Sequence, residues 1–360
     1  MIKVIHLITT ISRGGAENQL LTLTSEQVKA GHEVTVIYLK GAPELLQEFK
    51  DKGVVVLDFL AGKNPIFQIV YIRKFLKTNY SIVHAHLPRA ELISAFGVGR
   101  KPLIISKHNS EPFFPKAPDL ISLILARIVF RKSSKCIHIS QAVFTYLLSI
   151  KEVYPHRKNI IVHYGVPEVK IVNKINDKPK SYFTVGIIAR IVEQKNYRVL
   201  IYAFAKFQNN YPESRLLIVG EGSQKKEIVE LVQSLGLNDH VDWVGRTDNV
   251  YQFINQMDIF VLPSLYEGFG LVLLEVMQRN VPILASSASA IPEVMGANYP
   301  GLFPPDSVSG LITKLKKSIS ENYRNELTSH YFSRLKIFNA KSMAKEIDNV
   351  YLDSLKVFYK

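Results

Sequence analysis

Little in this chain of 360 residues points to disulfide bonds or to a membrane span. It has one cysteine, Cys136, so no disulfide can form within the chain, and a reducing compartment is the simplest setting. No apolar run approaches the roughly 18 residues of a spanning helix. The apolar N-terminus is short, contains His6 and lacks a small-residue cleavage site, which predicts a buried strand rather than a signal peptide. We therefore expect a cytoplasmic protein.

Signatures of metal and nucleic-acid sites are also missing. There is no Asp-x-Asp motif and no His/Cys cluster with metal-ligand spacing. His84 and His86 lie on one face of a predicted strand, but a shared metal would need further ligands that the sequence does not offer nearby. The basic residues are dispersed, without zinc-finger spacing or an RNA-binding aromatic signature. The sequence thus predicts neither a metal nor a nucleic-acid partner.

The formal net charge of +14 is spread unevenly. Residues 1–165 hold 22 Lys and Arg against 11 Asp and Glu, whereas residues 166–360 hold 23 against 20. A basic first half indicates an acidic partner, such as an anionic membrane surface or a phosphorylated acceptor, although a generally basic proteome explains it equally well. The apolar stretch Leu120–Phe130, with Lys116, Arg127 and Arg131 among its basic neighbours, could lie on a membrane, but core packing is the favoured interpretation.

Strands alternate with helical patterns along the whole chain, which is typical of parallel α/β layers. The predicted strands are Lys3–Thr9, Glu33–Leu39, Val54–Leu57, Ile82–His84, Leu103–Ser106, Cys136–Ile139, Phe183–Ile188, Arg215–Val219, Val241–Val244, Ile259–Leu262 and Pro282–Ala285. The predicted helices are Ala16–Ala30, Pro65–Thr78, Tyr197–Asn209, Lys225–Leu235, Phe269–Gln278 and an amphipathic Ser342–Phe358. A boundary near Gly165–Pro167, followed by a polar linker over 170–180, predicts two domains.

The most informative segment runs from Asp258 to Glu275. An apolar strand ends at Pro263, and a loop with glycines leads into a helix, so free backbone amides and the helix dipole create an anion site. Two carboxylates, Glu267 and Glu275, flank that site. Because carboxylates repel an anion, they must face its neutral, hydroxyl-rich parts. A diphosphate with a sugar on one side and a ribose on the other fits this arrangement.

The spacing Glu267-x7-Glu275, followed by Val281-Pro-Ile-Leu-Ala285 and Ile291-Pro-Glu293, resembles the family-4 retaining glycosyltransferases. The resemblance implies the GT-B fold: two Rossmann-like parallel-sheet domains facing a central cleft, with a C-terminal helix that crosses back to the first domain. It implies an acceptor-side domain over 1–166, a donor-binding domain over 167–341 and the crossover helix over 342–360. It also implies a metal-independent, retaining transferase of the hexosyltransferase type that needs no cofactor.

The resemblance assigns roles to individual residues. It implies that Glu267 binds sugar hydroxyls, that Glu275 binds the ribose, and that Arg190 and Lys195 clamp the diphosphate, while His108 lies near the reacting sugar. With Glu267, Arg190, Lys195 and His108 as the catalytic set, the further donor-binding candidates are Gly14, Gly15, Gly220, Gly222, Gly268, Phe269, Gly270 and Leu271. For the Gly220–Gly222 pair, a turn that needs glycine explains the pattern equally well.

The expected reaction moves a sugar from a nucleotide sugar, with UDP favoured over GDP, to a carbohydrate or lipid-linked acceptor in surface polysaccharide or glycolipid synthesis. The inner face of the cytoplasmic membrane is a candidate place of action. A nucleotide-sugar epimerase of the same fold and a non-catalytic nucleotide- or membrane-binding subunit are the alternatives. Two departures from the family pattern leave the local loop geometry open: Asn280 stands where glycine commonly precedes Val-Pro, and Ser286–Ala290 lacks the usual glycine pair.

Overall fold

A computed structural model describes residues 1–77, 80–99, 101–168 and 182–358. The chain divides into two compact units, Met1–Pro167 with Phe338–Lys360, and Glu168–Ile337. The predicted linker over 170–180 and the last residue of the predicted helix Pro65–Thr78 lie outside the described residues. No helix in the described ranges combines the length and the apolar character that crossing a bilayer requires.

The first unit is built on a seven-stranded parallel sheet in the order β3-β2-β1-β4-β5-β6-β7. Its strands are β1 (Lys3–Ile8), β2 (Glu33–Tyr38), β3 (Val55–Leu57), β4 (Ile82–His86), β5 (Leu103–Lys107), β6 (Lys135–His138) and β7 (Asn159–Ile161). Its helices are α1 (Gly15–Lys29), α2 (Leu46–Asp51), α3 (Pro65–Phe75), α4 (Pro88–Gly97), α5 (Asp119–Lys132) and α6 (Gln141–Ser149). β4 and β5 are buried along their whole length, as expected for central strands covered on both faces.

The second unit has a six-stranded parallel sheet in the order β10-β9-β8-β11-β12-β13. Its strands are β8 (Thr184–Ile188), β9 (Arg215–Val219), β10 (Val241–Gly245), β11 (Ile259–Leu262), β12 (Ile283–Ser286) and β13 (Leu302–Phe303). Its helices are α7 (Tyr197–Gln208), α8 (Lys225–Ser234), α9 (Val250–Ile254), α10 (Leu271–Gln278), α11 (Ile291–Met295), α12 (Val308–Lys317), α13 (Glu321–Thr328) and α14 (Tyr331–Ile337). Both units are therefore Rossmann-like, which confirms the predicted fold class.

The last helix, α15 (Ala340–Phe358), belongs to the first unit and packs on α1. Its apolar face buries Met343, Ile347, Val350 and Tyr351, as its periodicity predicts. Asp348 on this helix accepts a hydrogen bond from the Gln27 amide and lies 3.0 Å from Nε2 of His32. The prediction that the C-terminal helix returns to the first domain is confirmed.

Each sheet has one point where the strand order reverses. In the first unit β1 lies between β2 and β4, and in the second unit β8 lies between β9 and β11. Open parallel sheets bind ligands beyond the carboxyl ends of the strands at such a reversal. Ligand sites are therefore expected at the carboxyl ends of β1 and β4 in one unit and of β8 and β11 in the other.

Candidate active site

In the second unit, an ion pair joins the two loops that follow β8 and β11. The ammonium Nζ of Lys195 lies 2.5 Å from Oε1 of Glu267, and the side chains are only 14% and 7% exposed. The hydroxyl of Ser264 donates a second hydrogen bond, of 2.7 Å, to the same oxygen. No hydrogen bond to the other carboxylate oxygen, Oε2, is made by the residues that the structure describes. Two residues that the sequence places 72 positions apart thus meet at the strand reversal.

Further hydrogen bonds hold the Glu267 loop in place. The side-chain amide of Gln194 donates to the backbone carbonyl of Tyr266. The backbone amide of Leu265 donates to the backbone carbonyl of Gln194. From the other side, the Ser289 hydroxyl donates to the carbonyl of Glu267 at 2.9 Å. Sequence analysis did not single out Gln194, Ser264 or Ser289. Serine and glutamine in loops carry little signal alone, because such residues usually face solvent.

Gly270 precedes the first residue of α10 in the left-handed conformation, with φ +88. As the N-cap, glycine supplies no side chain to the first-turn amides of the helix, which leaves this terminus open to a ligand. The ring of Phe269 is only 2% exposed, so it packs into the unit rather than towards solvent. The backbone over Gly268–Leu271 therefore enters α10 without a side-chain cap, and the buried Phe269 holds that backbone in place.

Glu275 lies one turn into α10 and is partly buried. Burial raises the pKa of Glu275 to about 7. The ionised form of a desolvated carboxyl group is unfavourable unless a cation or the hydrogen-bond donors of a ligand stabilise it. Such perturbed groups concentrate at functional sites.

Arg190 follows β8 by two residues and is exposed. The residues described form no ion pair or hydrogen bond with its guanidinium. The same segment is in tight contact with the Gly220–Gly222 loop. A Cβ at Gly220 would lie 2.0 Å from the carbonyl oxygen of Ala189, and one at Gly222 would lie 2.1 Å from that of Ile191. The close approach of two backbones therefore requires both glycines, which supports the turn interpretation of this motif.

The two departures from the family pattern keep a glycine-like backbone. Asn280 and Ser289 both have φ +52, in the left-handed region that few non-glycine residues adopt. Asparagine tolerates this conformation better than most residues. At Ser289 the hydroxyl group also holds the Glu267 loop, so the serine adds a contact that glycine lacks.

In the first unit, the Arg13–Glu17 segment joins β1 to α1. Gly14 is the N-cap of α1 and Gly15 is its first residue. The Glu17 carboxylate lies over Gly14, where a Cβ would meet Oε2 at 2.4 Å. Arg13 is held by an ion pair of 2.5 Å with Glu48. An anion at this terminus would have to displace the Glu17 carboxylate.

His108 follows β5, and both of its ring nitrogens have partners within the unit. Nε2 lies 3.1 Å from Nδ1 of His86, and Nδ1 is hydrogen bonded to the hydroxyl of Tyr164. His86 in turn lies 3.0 Å from Nδ1 of His6 through its own Nε2. Burial, together with the neighbouring Lys107 ammonium, lowers the pKa of His108 to about 3. This ring is therefore neutral at physiological pH.

His6, His84 and His86 form a group whose ligand atoms lie within 4.8 Å of one another. The expectation that no further metal ligand lies near His84 and His86 is wrong, because the parallel register of β1 and β4 pairs His6 with His84. The only signal for this in the sequence is a histidine within the otherwise apolar β1. Each of the three rings is already hydrogen bonded through both nitrogens, and burial lowers the pKa of His84 and of His86 well below the usual range.

Two family models match the chain. "Glycosyltransferase Family 4" matches residues 13–170, and "Glycosyl transferases group 1" matches residues 169–333. A Campylobacter jejuni relative, a GalNAc-α-(1→4)-GalNAc-α-(1→3)-diNAcBac-PP-undecaprenol α-1,4-N-acetyl-D-galactosaminyltransferase, is 26% identical over 96% of this chain and 97% of its own. The Staphylococcus aureus capsular polysaccharide biosynthesis glycosyltransferase CapH is 23% identical over 98% and 99%.

Among solved structures, Anabaena HepE in complex with UDP and glucose superimposes with a TM-score of 0.82. It is 18% identical, and the match covers 98% of this chain and 100% of HepE. At this level of identity the likeness shows the fold alone. Together with the two family models, which adjoin to span nearly the whole length, it shows that the chain belongs to the group 1, family 4 glycosyltransferases and has the GT-B fold.

Proposed function

We propose that this protein transfers a hexosyl residue from a UDP-sugar to an acceptor hydroxyl, with retention of the anomeric configuration and without a metal ion. The observation that carries the proposal is the buried contact between Lys195 and Glu267 beside the uncapped start of α10. It combines a cation for a diphosphate with a carboxylate oxygen for a sugar hydroxyl. A subunit that only binds a membrane gives no reason for such an ion pair at the reversal of the strand order.

The chemistry requires stabilisation of the negative charge that develops on the leaving diphosphate. Arg190 can supply a planar, forked cation, since its side chain is exposed and has no ion pair or hydrogen bond with the residues that the structure describes. Lys195 supplies a compact charge, and the amides at the start of α10 add fixed donors. In this mechanism the acceptor hydroxyl attacks the face from which the diphosphate departs, and its proton passes to the departing phosphate oxygen.

Glu267 and Glu275 orient the two ends of the donor. Oε2 of Glu267 is open to a sugar hydroxyl, while Lys195 and Ser264 hold Oε1. Glu275 accepts from the ribose hydroxyls, and Gly220 and Gly222 are proposed, from the family resemblance, to lie near the nucleotide. Gly14, Gly15 and His108 in the first unit are proposed, from the family resemblance, to take part in donor binding and transfer.

The relatives support a role in surface-glycan synthesis. The C. jejuni protein acts on an undecaprenyl diphosphate-linked glycan, and CapH is a capsular polysaccharide glycosyltransferase. HepE was crystallised with UDP and glucose, which favours UDP as the nucleotide. We therefore propose a carbohydrate or lipid-linked acceptor for this chain as well.

Calorimetry in the presence of EDTA tests the donor site. UDP should bind the wild type without metal and more tightly than GDP or ADP, and Glu275→Gln should weaken UDP binding about tenfold by removing a charged acceptor. Glu230→Ala is the matched control, because this glutamate is an exposed helical residue of the same unit, with its side chain 62% exposed. Equal UDP affinity in Glu275→Gln and wild type would contradict the ribose assignment.

Turnover separates the transferase from its rivals. Release of UDP from a UDP-sugar should depend on an added acceptor, and the anomeric proton coupling of the product should match that of the donor. Conversion of the sugar without an acceptor would support an epimerase instead. Binding of UDP with no turnover of any UDP-hexose, over a panel of glycan and polyprenyl diphosphate acceptors, would support a non-catalytic subunit.

We also propose that the first unit contacts an anionic membrane through α5. The inner face of α5 buries Ala126, Val129 and Phe130, so the expected core packing holds for that face. The start of the helix differs, because Leu120, Ile121 and Ile124 are 67%, 51% and 49% exposed. Exposed basic residues, namely Lys116, Arg131 and Lys132, flank this apolar surface. Apolar residues bordered by lysine and arginine are typical of helices that lie on anionic lipid.

Sedimentation with vesicles tests this contact. The wild type should bind vesicles that contain phosphatidylglycerol, and bind phosphatidylcholine vesicles weakly. Replacing Leu120, Ile121 and Ile124 with serine should release it. Phe332→Ser is the control, because Phe332 is 73% exposed but lies in the second unit. Equal sedimentation of the triple variant and the control would contradict the assignment to α5.

A further inference from the structure

A hydrogen-bonded chain of side chains runs through the first unit from Asp348 on α15, past His108, to Tyr164. It begins at Asp348, whose Oδ1 lies 3.4 Å from the amide nitrogen of Gln27. The amide oxygen of Gln27 lies 2.8 Å from Nε2 of His6. From there the chain passes to His86 and His108 through nitrogen–nitrogen contacts of 3.0 and 3.1 Å, and it ends at the Tyr164 hydroxyl.

The direction of every bond in this chain follows from its first member. An ionised carboxylate only accepts, so the amide nitrogen of Gln27 must face Asp348 and its oxygen must face His6. That oxygen accepts, so Nε2 of His6 must carry a proton. A neutral imidazole has one donor and one acceptor nitrogen, which leaves Nδ1 of His6 as an acceptor.

The same argument fixes the proton positions of His86 and His108. His86 must donate from Nε2 to His6, so its Nδ1 accepts from Nε2 of His108. Nδ1 of His108 then accepts from the Tyr164 hydroxyl. The premise that the rings are neutral is supported, because burial lowers the pKa of His6 to about 4 and of His86 well below its usual range. Burial also raises the pKa of Tyr164, so this hydroxyl keeps its proton.

We infer that Gln27, His6 and His86 are positioning residues that fix His108 as the Nε2–H tautomer, and that the C-terminal helix sets this state through Asp348. His84 is not part of the chain, since its nitrogens contact Tyr351 and Ser106, each at 2.7 Å. A metal at His6, His84 and His86 would need lone pairs that these hydrogen bonds use. The chain and a metal site are therefore exclusive.

The tautomers can be read directly by two-bond proton–nitrogen NMR correlation on isotope-labelled histidine. Between about pH 6 and pH 8, His6, His86 and His108 should each show a protonated Nε2 and a bare Nδ1. Gln27→Leu should give mixed tautomers at all three rings, whereas the double variant Gln27→Glu/Asp348→Asn, which keeps an acceptor for His6 and a donor from the C-terminal helix, should preserve them. Gln68→Leu is the control, because Gln68 is another buried glutamine of this unit that lies outside the chain.

Asp348→Ala provides a second variant at a partly exposed position, in case Gln27→Leu does not fold. It should partly release the Gln27 amide and broaden the His6 and His108 signals. A protonated Nδ1 on His108 in the wild type, or unchanged tautomers in both Gln27→Leu and Asp348→Ala, would overturn the inference. So would stoichiometric Zn²⁺ binding that removes the His6 and His86 Nε2–H signals.

A kinetic readout ties the chain to function, and this part alone rests on the proposed transferase activity. A fixed imidazole tautomer can matter greatly to catalysis. His86→Phe should lower kcat on the order of tenfold with little change in the KM for the donor, whereas a structural defect would change both. The double variant Gln27→Glu/Asp348→Asn should restore kcat relative to Gln27→Leu. If the proposed activity is wrong, the NMR result still stands.

Discussion

A buried Lys–Glu ion pair lies near the carboxyl ends of the strands in each unit, and the two pairs differ in how deeply they are buried. In the first unit, Lys107 and Glu91 lie 2.6 Å apart with side chains 7% and 2% exposed, and Lys107 also packs over the Phe113 ring. In the second unit, Lys195 and Glu267 lie 2.5 Å apart, and their side chains are more exposed, at 14% and 7%. We call the more deeply buried pair of the first unit the closed pair, and the pair of the second unit, which we propose binds a ligand, the open pair.

Breaking the closed pair should have the largest effect on stability. Lys107→Met leaves Glu91 buried without its cation, which should cost about 3–5 kcal/mol of the free energy of unfolding. The double variant Lys107→Met/Glu91→Leu should recover most of that loss, because no buried charge remains. Denaturant titrations of the three proteins measure this. Equal destabilisation of the single and double variants would show that packing rather than charge determines the stability here.

Breaking the open pair should reduce activity rather than stability. Glu267→Gln keeps the shape of the side chain but removes the charge that holds Lys195 and accepts from the sugar. We expect kcat to fall on the order of 100-fold, as for the loss of one fixed transition-state contact. The free energy of unfolding should fall by less than in Lys107→Met, because the amide oxygen that the substitution introduces can still accept from Lys195, whose side chain is 14% exposed. Loss of stability as large as that of Lys107→Met would erase the proposed distinction.

Glu275 should make the stability of the second unit depend on pH. Burial raises its pKa to about 7, above its ordinary value, so the folded state disfavours the ionised form. The folded state therefore carries no penalty from Glu275 at low pH, and the free energy of unfolding falls as the pH rises through about 7. Glu275→Gln should stabilise the protein by ~2 kcal/mol near pH 8 and by little near pH 4, which melting curves at the two pH values would reveal.

The ligand should reverse this preference. In the proposed complex the ionised carboxylate accepts from the ribose hydroxyls, so UDP should bind up to about tenfold more weakly near pH 6 than near pH 8. This dependence should vanish in Glu275→Gln. A pH-independent UDP affinity in the wild type would show that Glu275 does not ionise on binding.

Pattern and spacing predicted much of the fold. Arg215–Val219 and Ile259–Leu262 match the observed strands, because both are apolar runs bounded by turn residues. The short strands Asn159–Ile161 and Leu302–Phe303 were missed. They lie at the edges of their sheets and are too short to show a period.

The sites were predictable to different degrees. The motif around Glu267 is local, so sequence analysis found it, and the structure adds the contact with Lys195. The histidine chain depends on the register of β1 against β4 and on the position of α15. Parallel strands that are about 80 residues apart leave no local trace of their register. His6 and Gln27 therefore could not be recognised before the structure.

The smallest expected effect concerns Ser289, which supports the open pair through the backbone of Glu267. The φ of Ser289, +52, is strained for any residue with a Cβ atom, and glycine avoids this strain. Ser289→Ala and Ser289→Gly both remove the hydroxyl that donates to Glu267, so their difference isolates the backbone term. Ser289→Gly should be more stable than Ser289→Ala by about 1 kcal/mol in denaturant titrations. Both variants should raise the KM for the donor by a similar, small factor, because both remove the hydrogen bond that holds the Glu267 loop. A difference in KM between the two variants would show that the loop responds to backbone strain instead.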